Sequence, residues 1–384
     1  MAEVRLGIIG IGAIGTHHAE CVIRGDIKGM RLAAVADASE ARRQWAKENL
    51  PGVGFYPSAE ELMKSGTVDA VLLAGPHGLH APQAKIAVEC GLHVLTEKPA
   101  GIRASEIEPA ARLAHEKRLV YCVMFNQRTS PVNQCVYDMI HSGKLGRVRR
   151  MTMIMTDCYR SQSYYDSGTW RGTWAMEGGG MIVNHCSHRM DLLQWWMGMP
   201  LSVRAHLGCG KWHDIEVDDD INAYFEFPGG ATGCLIASTG DCPGTTLLEF
   251  QGDNGKLALQ NEKLMYYELS TPEPEFSRTF TGGFGSPSFT VRDITPAAPD
   301  PMHQGILQNF ADAVRGMAAP LVPIEEGFKS LRMTHAMYLS GWLGLDVALP
   351  ADDKLYDELL NERIAKSKPR ECKSVALDIG KLWK

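Results

Sequence analysis

The pattern Gly-x-Gly-x-x-Gly at residues 10–15, with the sequence GIGAIG, constrains the fold of this chain more than any other feature. A short apolar, β-rich run covers residues 4–10, and a helical pattern follows through Ile23. A second apolar run at residues 32–36 ends on Asp37. In this strand–turn–helix context the glycines allow a tight turn and bring backbone N–H groups against a pyrophosphate at a helix N-terminus. The sequence therefore predicts a dinucleotide-binding turn, formed by Gly10, Gly12, Ala13 and Ile14.

Asp37 indicates which dinucleotide binds. It lies roughly twenty residues beyond the last glycine, where a carboxylate binds the ribose hydroxyls of NAD. The 2′-phosphate of NADP would meet the same negative charge. Two alternatives stay open, because Asp37 could be a plain strand-end residue and because Arg42 and Arg43 could accept a phosphate. The pattern favours NAD as the cofactor.

The first third of the chain continues as alternating strand and helix patterns separated by short loops. Strands are predicted at residues 69–74, 93–96 and 119–125, and helices at residues 81–90 and 105–117. Such alternation is typical of a doubly wound parallel sheet. We expect an α/β Rossmann domain over residues 1–125.

After about residue 146 the pattern changes to two-residue alternation with hairpin-like spacing. The runs lie at residues 149–156, 221–227, 234–238 and 247–250. They predict a second α+β domain over residues 126–384 with a large, mainly antiparallel open sheet. We expect Phe225, Phe227 and Leu235 on the face under the domain's own helices. The other face is expected to carry Met151, Met153, Met155 and Tyr224, partly exposed.

Composition excludes several classes of function. The net charge is −6 and no basic tract occurs, so nucleic acid and anionic membranes are not expected partners. The apolar start is interrupted by glycines, unlike a signal peptide, and no apolar run is long enough to span a membrane. Ten cysteines are scattered singly, without a CxxC pair. Reduced thiols in a cytoplasmic protein are the expectation.

Two further motifs carry a resemblance to a known family. Thr96-Glu97-Lys98-Pro99 follows the strand pattern at residues 93–96, and residues 177–191 read EGGGMIVNHCSHRMD. Together with the glycine turn, these motifs resemble the Gfo/Idh/MocA oxidoreductases, the family of glucose–fructose oxidoreductase and inositol dehydrogenase. The resemblance covers nearly the whole chain. It implies the two-domain fold and an NAD-dependent dehydrogenase.

The chain departs from many members of that family at two positions in residues 177–191. Asn184 stands where many relatives carry Asp, and His185 stands where Gln is frequent, which leaves the role of His185 open. Asn184 and the sequence WRGTW at residues 170–174 resemble the corresponding residues in one branch of the family. Members of that branch act on pyranose sugars, glycosides or sugar nucleotides.

The chemistry of an alcohol dehydrogenase gives these residues roles. A hydroxyl proton must reach a base, and His188 is the best candidate because an imidazole titrates near neutral pH. Lys98 supplies a cation where an alkoxide develops. Asn184 is expected one helical turn before His188, on the same face, where it orients a substrate hydroxyl. A core histidine and an ordinary lysine are the alternatives.

A metal site and a nucleophile are further alternatives for residues 177–191. His185 and His188 are three residues apart, which suits two metal ligands on a helix, but Cys186 would point elsewhere. A third ligand would have to come from Asp191, His213 or His303. Cys186 and His188 diverge on a helix, which disfavours a nucleophile with its base. We predict no metal, and a structural role for Asp191.

Family position and residue type together give the other site residues. The resemblance implies further cofactor contacts from Pro76, His77, His80, Glu97, Lys98 and Asn126. The expected substrate-binding residues are Tyr164, Trp170, Arg171, Asn184, His185, His188, Arg128 and His303. Pyranose faces stack on aromatic rings, although these aromatic residues could instead close the core between the domains.

The sequence predicts an NAD-dependent oxidoreductase that takes hydride from a secondary hydroxyl of a pyranose sugar, glycoside or cyclitol, such as C3 of a glucoside. One alternative is an NAD-dependent glycosidase that oxidises, eliminates and re-reduces its substrate with retained NAD. Another is a nucleotide-binding protein without catalysis, which the presence of Lys98 and His188 disfavours. The family resemblance and the partly apolar outer sheet face predict a homodimer or homotetramer, formed through the second domain.

Overall fold

The computed structural model describes residues 3–371, so residues 372–384 of the predicted second domain lie outside the described residues. Residues 4–123 form a six-stranded sheet with helices between the strands. Its elements are β1 (Val4–Ile9), α1 (Ala13–Ile23), β2 (Met30–Ala36), α2 (Glu40–Asn49), β3 (Gly54–Tyr56), α3 (Ala59–Lys64), β4 (Ala70–Leu73), α4 (His77–Glu89), β5 (His93–Thr96), α5 (Ala104–Glu116) and β6 (Tyr121–Val123).

The six strands are all parallel, in the order β3-β2-β1-β4-β5-β6. The order reverses between β1 and β4, and this switch point is where open α/β sheets bind ligands. β4 is buried along its whole length, as expected for a parallel strand covered on both faces. The predicted doubly wound sheet is confirmed.

Two details of this half differ from the sequence-based prediction. The α2–β3–α3 segment was not predicted, because α2 is highly charged and only Ala46 of its ten residues is buried. α4 begins at His77 rather than at residue 81, since its first turn contains glycine and histidines and has no apolar periodicity.

The rest of the described chain forms a nine-stranded sheet with helices packed mainly on one face. Its elements are a 3₁₀ helix (Asn126–Thr129), α6 (Pro131–His141), β7 (Val148–Met155), α7 (Gln162–Asp166), a π-helix (Met181–His185), α8 (Ser187–Met197), β8 (Ser202–Cys209), β9 (Asp218–Glu226), a 3₁₀ turn (Pro228–Gly230), β10 (Thr232–Ser238), β11 (Thr246–Gly252), β12 (Gly255–Gln260), β13 (Lys263–Leu269), α9 (Glu273–Thr279), β14 (Phe289–Asp293), α10 (Met302–Val314), α11 (Ile324–Leu343), β15 (Val347–Ala348) and α12 (Asp353–Lys366).

The nine strands lie in the order β14-β13-β12-β11-β7-β10-β9-β8-β15. Only β7 and β10 pair in parallel, and every other neighbouring pair is antiparallel. The prediction of a mainly antiparallel open sheet is therefore confirmed.

The assignment of the methionines to the outer face was wrong. Met153 pairs directly with Leu235, and residues that pair across neighbouring strands point to the same side of a sheet. Met151, Met153 and Met155 are all buried with the helices. Tyr224 does lie on the outer face, where 43% of it is exposed.

The structure has two apolar cores, one in each sheet region. The first surrounds the six-stranded sheet and also contains Ile306, Leu307 and Phe310 from α10. The second lies between the nine-stranded sheet and its helices, and includes Ile102 from the first half. The predicted boundary between residues 125 and 126 falls between the sheets, but α10 returns to the first core.

None of the helices in the described part of the chain has the length and apolar character needed to cross a membrane.

Candidate active site between the two sheets

The glycine turn between β1 and α1 has the steric properties of a pyrophosphate-binding turn. Gly10 has a φ of 91°, and a Cβ atom there would lie 2.9 Å from the Ala74 carbonyl oxygen. A Cβ at Gly15 would lie 1.9 Å from the carbonyl oxygen of Gly10. A Cβ at Gly12, the N-cap of α1, would meet no atom within 4 Å, so the space before the helix is open. The turn fits the phosphates of a dinucleotide.

Asp37 lies at the end of β2, beside this turn. Its carboxylate accepts hydrogen bonds from the backbone N–H groups of Ile11 and Ser39, each at 2.8 Å. Arg42 donates to the Ile11 carbonyl and to the Thr16 hydroxyl, while Arg43 donates to the Asp37 carbonyl. Both arginines are therefore committed to the protein, which favours NAD over NADP at this position.

Glu97 directly follows β5 and is hydrogen-bonded to α1. Its Oε1 accepts a hydrogen bond from His18 Nε2 at 2.7 Å, and its Oε2 accepts one from the Lys98 backbone N–H at 3.1 Å. Burial opposes ionisation of this carboxyl, but the hydrogen bond and charge of His18 outweigh it and lower the pKa of Glu97 to about 2. The ring of His303, in the first turn of α10, lies 5.3 Å from that of His18. His303 is thus on the Glu97 side of the site rather than beside the predicted substrate aromatics.

Lys98 connects the two sheet regions. Its Nζ donates hydrogen bonds to the carbonyl oxygen of Asn184 at 3.0 Å and to its Oδ1 at 3.3 Å. Asn184 Nδ2 in turn donates to Glu177 Oε1 at 2.6 Å. Burial lowers the pKa of Lys98, and the nearby Glu97 and Glu177 carboxyls partly oppose that shift. The result is a chain of polar contacts from Lys98 through Asn184 to Glu177.

Asn184 and His188 do not share one helix, which corrects the predicted common face. Asn184 lies in the π-helix Met181–His185, and His188 lies in α8, which begins at Ser187. Asp218 holds the start of the π-helix, because its carboxylate accepts the N–H groups of Gly180 and Ile182, each at 2.8 Å. Short π-helical turns are frequent at functional sites.

The two histidines of this segment carry unused nitrogen atoms. Among the described residues, Nδ1 of His188 and both ring nitrogens of His185 are buried without a hydrogen-bond partner. Burial, followed by the charge of Lys98, lowers the pKa of His188 well below its usual value. His188 is therefore neutral near pH 7 and has an unpartnered ring nitrogen, but the same shift makes it a weaker base than a free imidazole. No group of three or more His, Cys, Asp or Glu side chains suited to a metal ion occurs within residues 3–371.

The predicted aromatic segment reaches this polar chain. Arg171 donates to the Tyr164 hydroxyl at 2.6 Å, and its guanidinium carbon lies 4.3 Å and 4.4 Å from the ring centres of Tyr164 and Trp170. Asn184 Nδ2 lies 3.5 Å from the Tyr164 hydroxyl. The rings of Trp170 and His77 pack in a T-shaped arrangement, with 5.4 Å between ring centres. The structure thus brings predicted substrate and cofactor residues together.

The remaining predicted cofactor residues lie at the carboxyl edge of the parallel sheet. Pro76 is the N-cap of α4, which His77 begins. The ring nitrogens of His80 lie 2.8 Å from the Pro99 carbonyl oxygen and 2.9 Å from that of Gly75. Asn126 is buried in the 3₁₀ helix that follows β6. These placements suit the edge at which doubly wound sheets bind nucleotides.

Arg128 does not face this site as a free cation. Its guanidinium makes a two-point contact with Asp191 at 2.7 Å and 2.6 Å, and a further contact with Glu326 at 2.6 Å. Arg128 and Asp191 are almost completely buried. These contacts favour a structural role for Arg128, in place of the predicted substrate-lining one, and they give Asp191 its partner.

We expect Arg128→Ala to lower the free energy of unfolding by about 3–5 kcal/mol, because it leaves the buried Asp191 carboxylate without its cation. Urea denaturation of the two proteins measures this. The exposed Arg112, whose side chain is 68% accessible, supplies a matched control, and Arg112→Ala should cost less than about 1 kcal/mol. A stable Arg128→Ala protein would restore the substrate-lining interpretation.

Glu177 is a site residue to which the sequence analysis gave no role. Its two carboxylate oxygens accept Gly172 N–H and Asn184 Nδ2, each at 2.6 Å, and the residue is 1% exposed. Burial raises the pKa of Glu177 to about 7. The available signal was its position directly before three glycines, where the chain turns closely enough to enclose a side chain.

The raised pKa of Glu177 predicts a pH dependence of stability. Between its usual value of 4.5 and about 7, the unfolded carboxyl is ionised while the folded one keeps its proton. Stability therefore falls as pH rises through this window, by up to about 1.4 kcal/mol per pH unit. Urea denaturation from pH 5 to 8 should show wild type losing stability relative to Glu177→Gln up to pH 7, and then no further change. A pH-independent difference between the two proteins would contradict the shifted pKa.

The fold and the glycine turn define an NAD-binding protein. Residues 4–125 match the oxidoreductase family with an NAD-binding Rossmann fold, and residues 134–258 match the GFO/IDH/MocA C-terminal domain. The two matches together cover more than half of the sequence. The chain belongs to the Gfo/Idh/MocA oxidoreductase family.

Individual relatives agree with this placement. The rhizopine catabolism protein MocA of Rhizobium meliloti is 29% identical over 52% of this chain, and inositol 2-dehydrogenase of Corynebacterium glutamicum strain R is 27% identical over 51%. The chain spans only 58% and 55% of the lengths of these two relatives. A crystal structure of the WlbA dehydrogenase from Bordetella pertussis, in complex with NADH and UDP-GlcNAcA, superposes with a TM-score of 0.79. It is 26% identical and covers 92% of this chain and 99% of that one.

Proposed function

We propose that this protein is an NAD-dependent dehydrogenase that takes hydride from a secondary hydroxyl of a pyranose sugar, glycoside or cyclitol. The observation that carries the proposal is the contact between Lys98 and Asn184, next to a neutral His188. It supports a cation and a proton acceptor at the carboxyl edge of the parallel sheet, where doubly wound folds bind dinucleotides. NAD, when bound, supplies the hydride acceptor.

The chain's own residues then have distinct tasks. His188 accepts the hydroxyl proton, because burial keeps its imidazole neutral. The Lys98 ammonium stabilises the negative charge that develops on the substrate oxygen, and its present partners are uncharged oxygen atoms of Asn184. Asn184, held by Glu177, orients Lys98 and the substrate hydroxyl. Tyr164 and Trp170 would line the sugar or cyclitol together with the Arg171 guanidinium, which stacks on both rings.

The other cofactor contacts are assigned from where the residues lie at the carboxyl edge of the parallel sheet. Gly10, Gly12, Ala13 and Ile14 would hold the pyrophosphate, and Asp37 the adenosine ribose. Pro76, His77, His80, Glu97 and Asn126 would surround the nicotinamide half. Relatives support a polyhydroxylated ring as substrate, since one is an inositol dehydrogenase and a similar structure holds a nucleotide sugar.

Formation of NADH over a panel of sugars, glycosides and inositols tests the proposal directly. Net NADH is expected with at least one of them. Glycoside cleavage without net NADH would instead support the glycosidase that retains its NAD.

We also propose a cytoplasmic location, supported by the nine cysteines of the described residues, all of which are free.

Lys98→Ala and His188→Ala should each lower kcat by two or more orders of magnitude, because each removes a group that acts on the developing alkoxide or its proton. Binding of NADH, measured by fluorescence, should stay close to that of wild type. A variant that keeps more than about a tenth of wild-type turnover would show that its residue has another role.

We propose that the protein forms a homodimer or a homotetramer through the outer face of the nine-stranded sheet. Tyr224 and Ile236 are 43% and 40% exposed on neighbouring strands of this face. Half-buried Ile154 and Leu247 continue the apolar surface on the adjoining strands. A broad, partly apolar sheet face is stable in water when a partner covers it.

Light scattering at micromolar concentration should therefore give at least twice the 42.2 kDa mass of one chain. Ile236→Glu should dissociate the assembly, because it buries a charge at the interface. Ile23→Glu is the matched control, since Ile23 is 41% exposed on α1, which packs on the six-stranded sheet. A wild-type monomer would refute the proposal, as would equal masses for wild type and Ile236→Glu.

A further inference from the structure

Two arginines beside the candidate active site have no anionic partner. Arg160 donates to the backbone carbonyl of Tyr159, and Arg171 donates to the Tyr164 hydroxyl. Neither forms an ion pair within residues 3–371, and Nε of Arg160 is buried without any hydrogen-bond partner. Guanidinium groups that are partly enclosed normally meet a carboxylate or a phosphate.

Both guanidinium groups lie against the ring of Tyr164. Their central carbon atoms are 5.3 Å and 4.3 Å from the ring centre, for Arg160 and Arg171 respectively. The ring of His185 is 5.7 Å from the same tyrosine ring, and both nitrogens of His185 are buried and unpartnered. Three groups that can donate hydrogen bonds thus surround one side chain.

Three carboxylates in this region, those of Glu177, Asp166 and Asp219, already have partners. Glu177 accepts the N–H of Gly172 and the Asn184 amide. Asp166, on α7, accepts Arg370 at 3.1 Å, and Asp219 holds the backbone N–H groups of the loop at residues 211–213. The pKa of His185 is lowered by burial first and then by the charges of Arg160, Lys98 and Arg171, which shows that positive charge converges on this point.

We propose that Arg160, Arg171 and His185 form an anion-binding subsite, so that the substrate carries a carboxylate or phosphate in addition to the hydroxyl that is oxidised. The subsite adjoins the reacting groups, because the Tyr164 hydroxyl lies 3.5 Å from the Asn184 amide that contacts Lys98. This inference deepens the proposed function and rests on it. The substrate class becomes an acidic sugar, sugar phosphate or nucleotide sugar, rather than a neutral sugar or cyclitol.

Matched pairs of sugars test the subsite. The NADH-loaded full-length protein is titrated by calorimetry with methyl glucoside, methyl glucuronide, glucose 1-phosphate, glucose 6-phosphate and UDP-glucose, and with the galacto and N-acetylglucosamine counterparts of each. At least one anionic sugar should bind tenfold or more tightly than its neutral counterpart. The carboxylate, phosphate and nucleotide arms distinguish the sources of the negative charge. If no anionic sugar binds more tightly than its neutral counterpart in any series, the subsite is refuted.

Charge-removing variants assign the preference to these residues. Arg160→Gln and Arg171→Gln should each reduce the ratio of anionic to neutral binding by about tenfold. Arg112→Gln is the control, because it removes the same charge from an exposed position on α5 and should leave the ratio unchanged. Equal ratios in all four proteins, wild type included, would overturn the assignment.

Turnover separates this inference from the proposed function. If neutral sugars form NADH as efficiently as acidic ones, the proposed function stands and the anion subsite fails. If no sugar forms NADH but acidic sugars still bind preferentially through the two arginines, the subsite stands and the dehydrogenase proposal fails.

Discussion

The geometry of the candidate site depends on one buried carboxylate, Asp218. It accepts hydrogen bonds from the backbone N–H groups of Gly180 and Ile182 and from the Tyr338 hydroxyl, the last at 2.6 Å. A Cβ at Gly180 would lie 2.0 Å from the Asp218 carbonyl oxygen, so only glycine allows the chain to approach this closely. Asp218 thereby fixes the π-helix that aims the Asn184 carbonyl at Lys98. Its position at the start of β9 ties the site to the nine-stranded sheet rather than to a loop.

Burial is the main influence on the protonation states of the titratable groups in the site. It lowers the pKa values of Lys98 and His188 and raises that of Glu177, so each of these shifts favours the uncharged form. Glu97 is the exception, because His18 donates to it and compensates for its burial. The site thus keeps one fully ionised carboxylate next to α1 and a neutral base near the substrate. That separation suits a reaction in which a proton leaves while negative charge develops on oxygen.

Local patterns gave the parts of this structure that the sequence could predict. The glycine turn, the buried apolar strands and the Thr96–Pro99 motif are short and continuous, and the fold class follows from their order. Contacts between residues far apart in the chain could not be predicted from the sequence. Alternation shows which residues of one strand share a face, but it does not relate one strand to another, and Met153 was therefore assigned to the same face as Tyr224. Only the register of Met153 with Leu235 places Met153 on the covered face. Arg128 meets Glu326 from a position 198 residues away, which no local pattern reveals.

The break between Asn184 and His188 shows a related limit. A helical repeat through residues 181–197 places both residues on one face, and no residue in that run signals an interruption. The cause is Asp218, 34 residues further along the chain, which captures the N–H groups that would otherwise begin a regular helix. The Asn184 carbonyl oxygen accepts from Lys98 Nζ and from the Ser187 hydroxyl, each at 3.0 Å. A carbonyl inside a regular α-helix would be bonded to the N–H four residues on. The π-helix therefore makes the carbonyl oxygen of Asn184 available as a hydrogen-bond acceptor for Lys98, the proposed catalytic lysine.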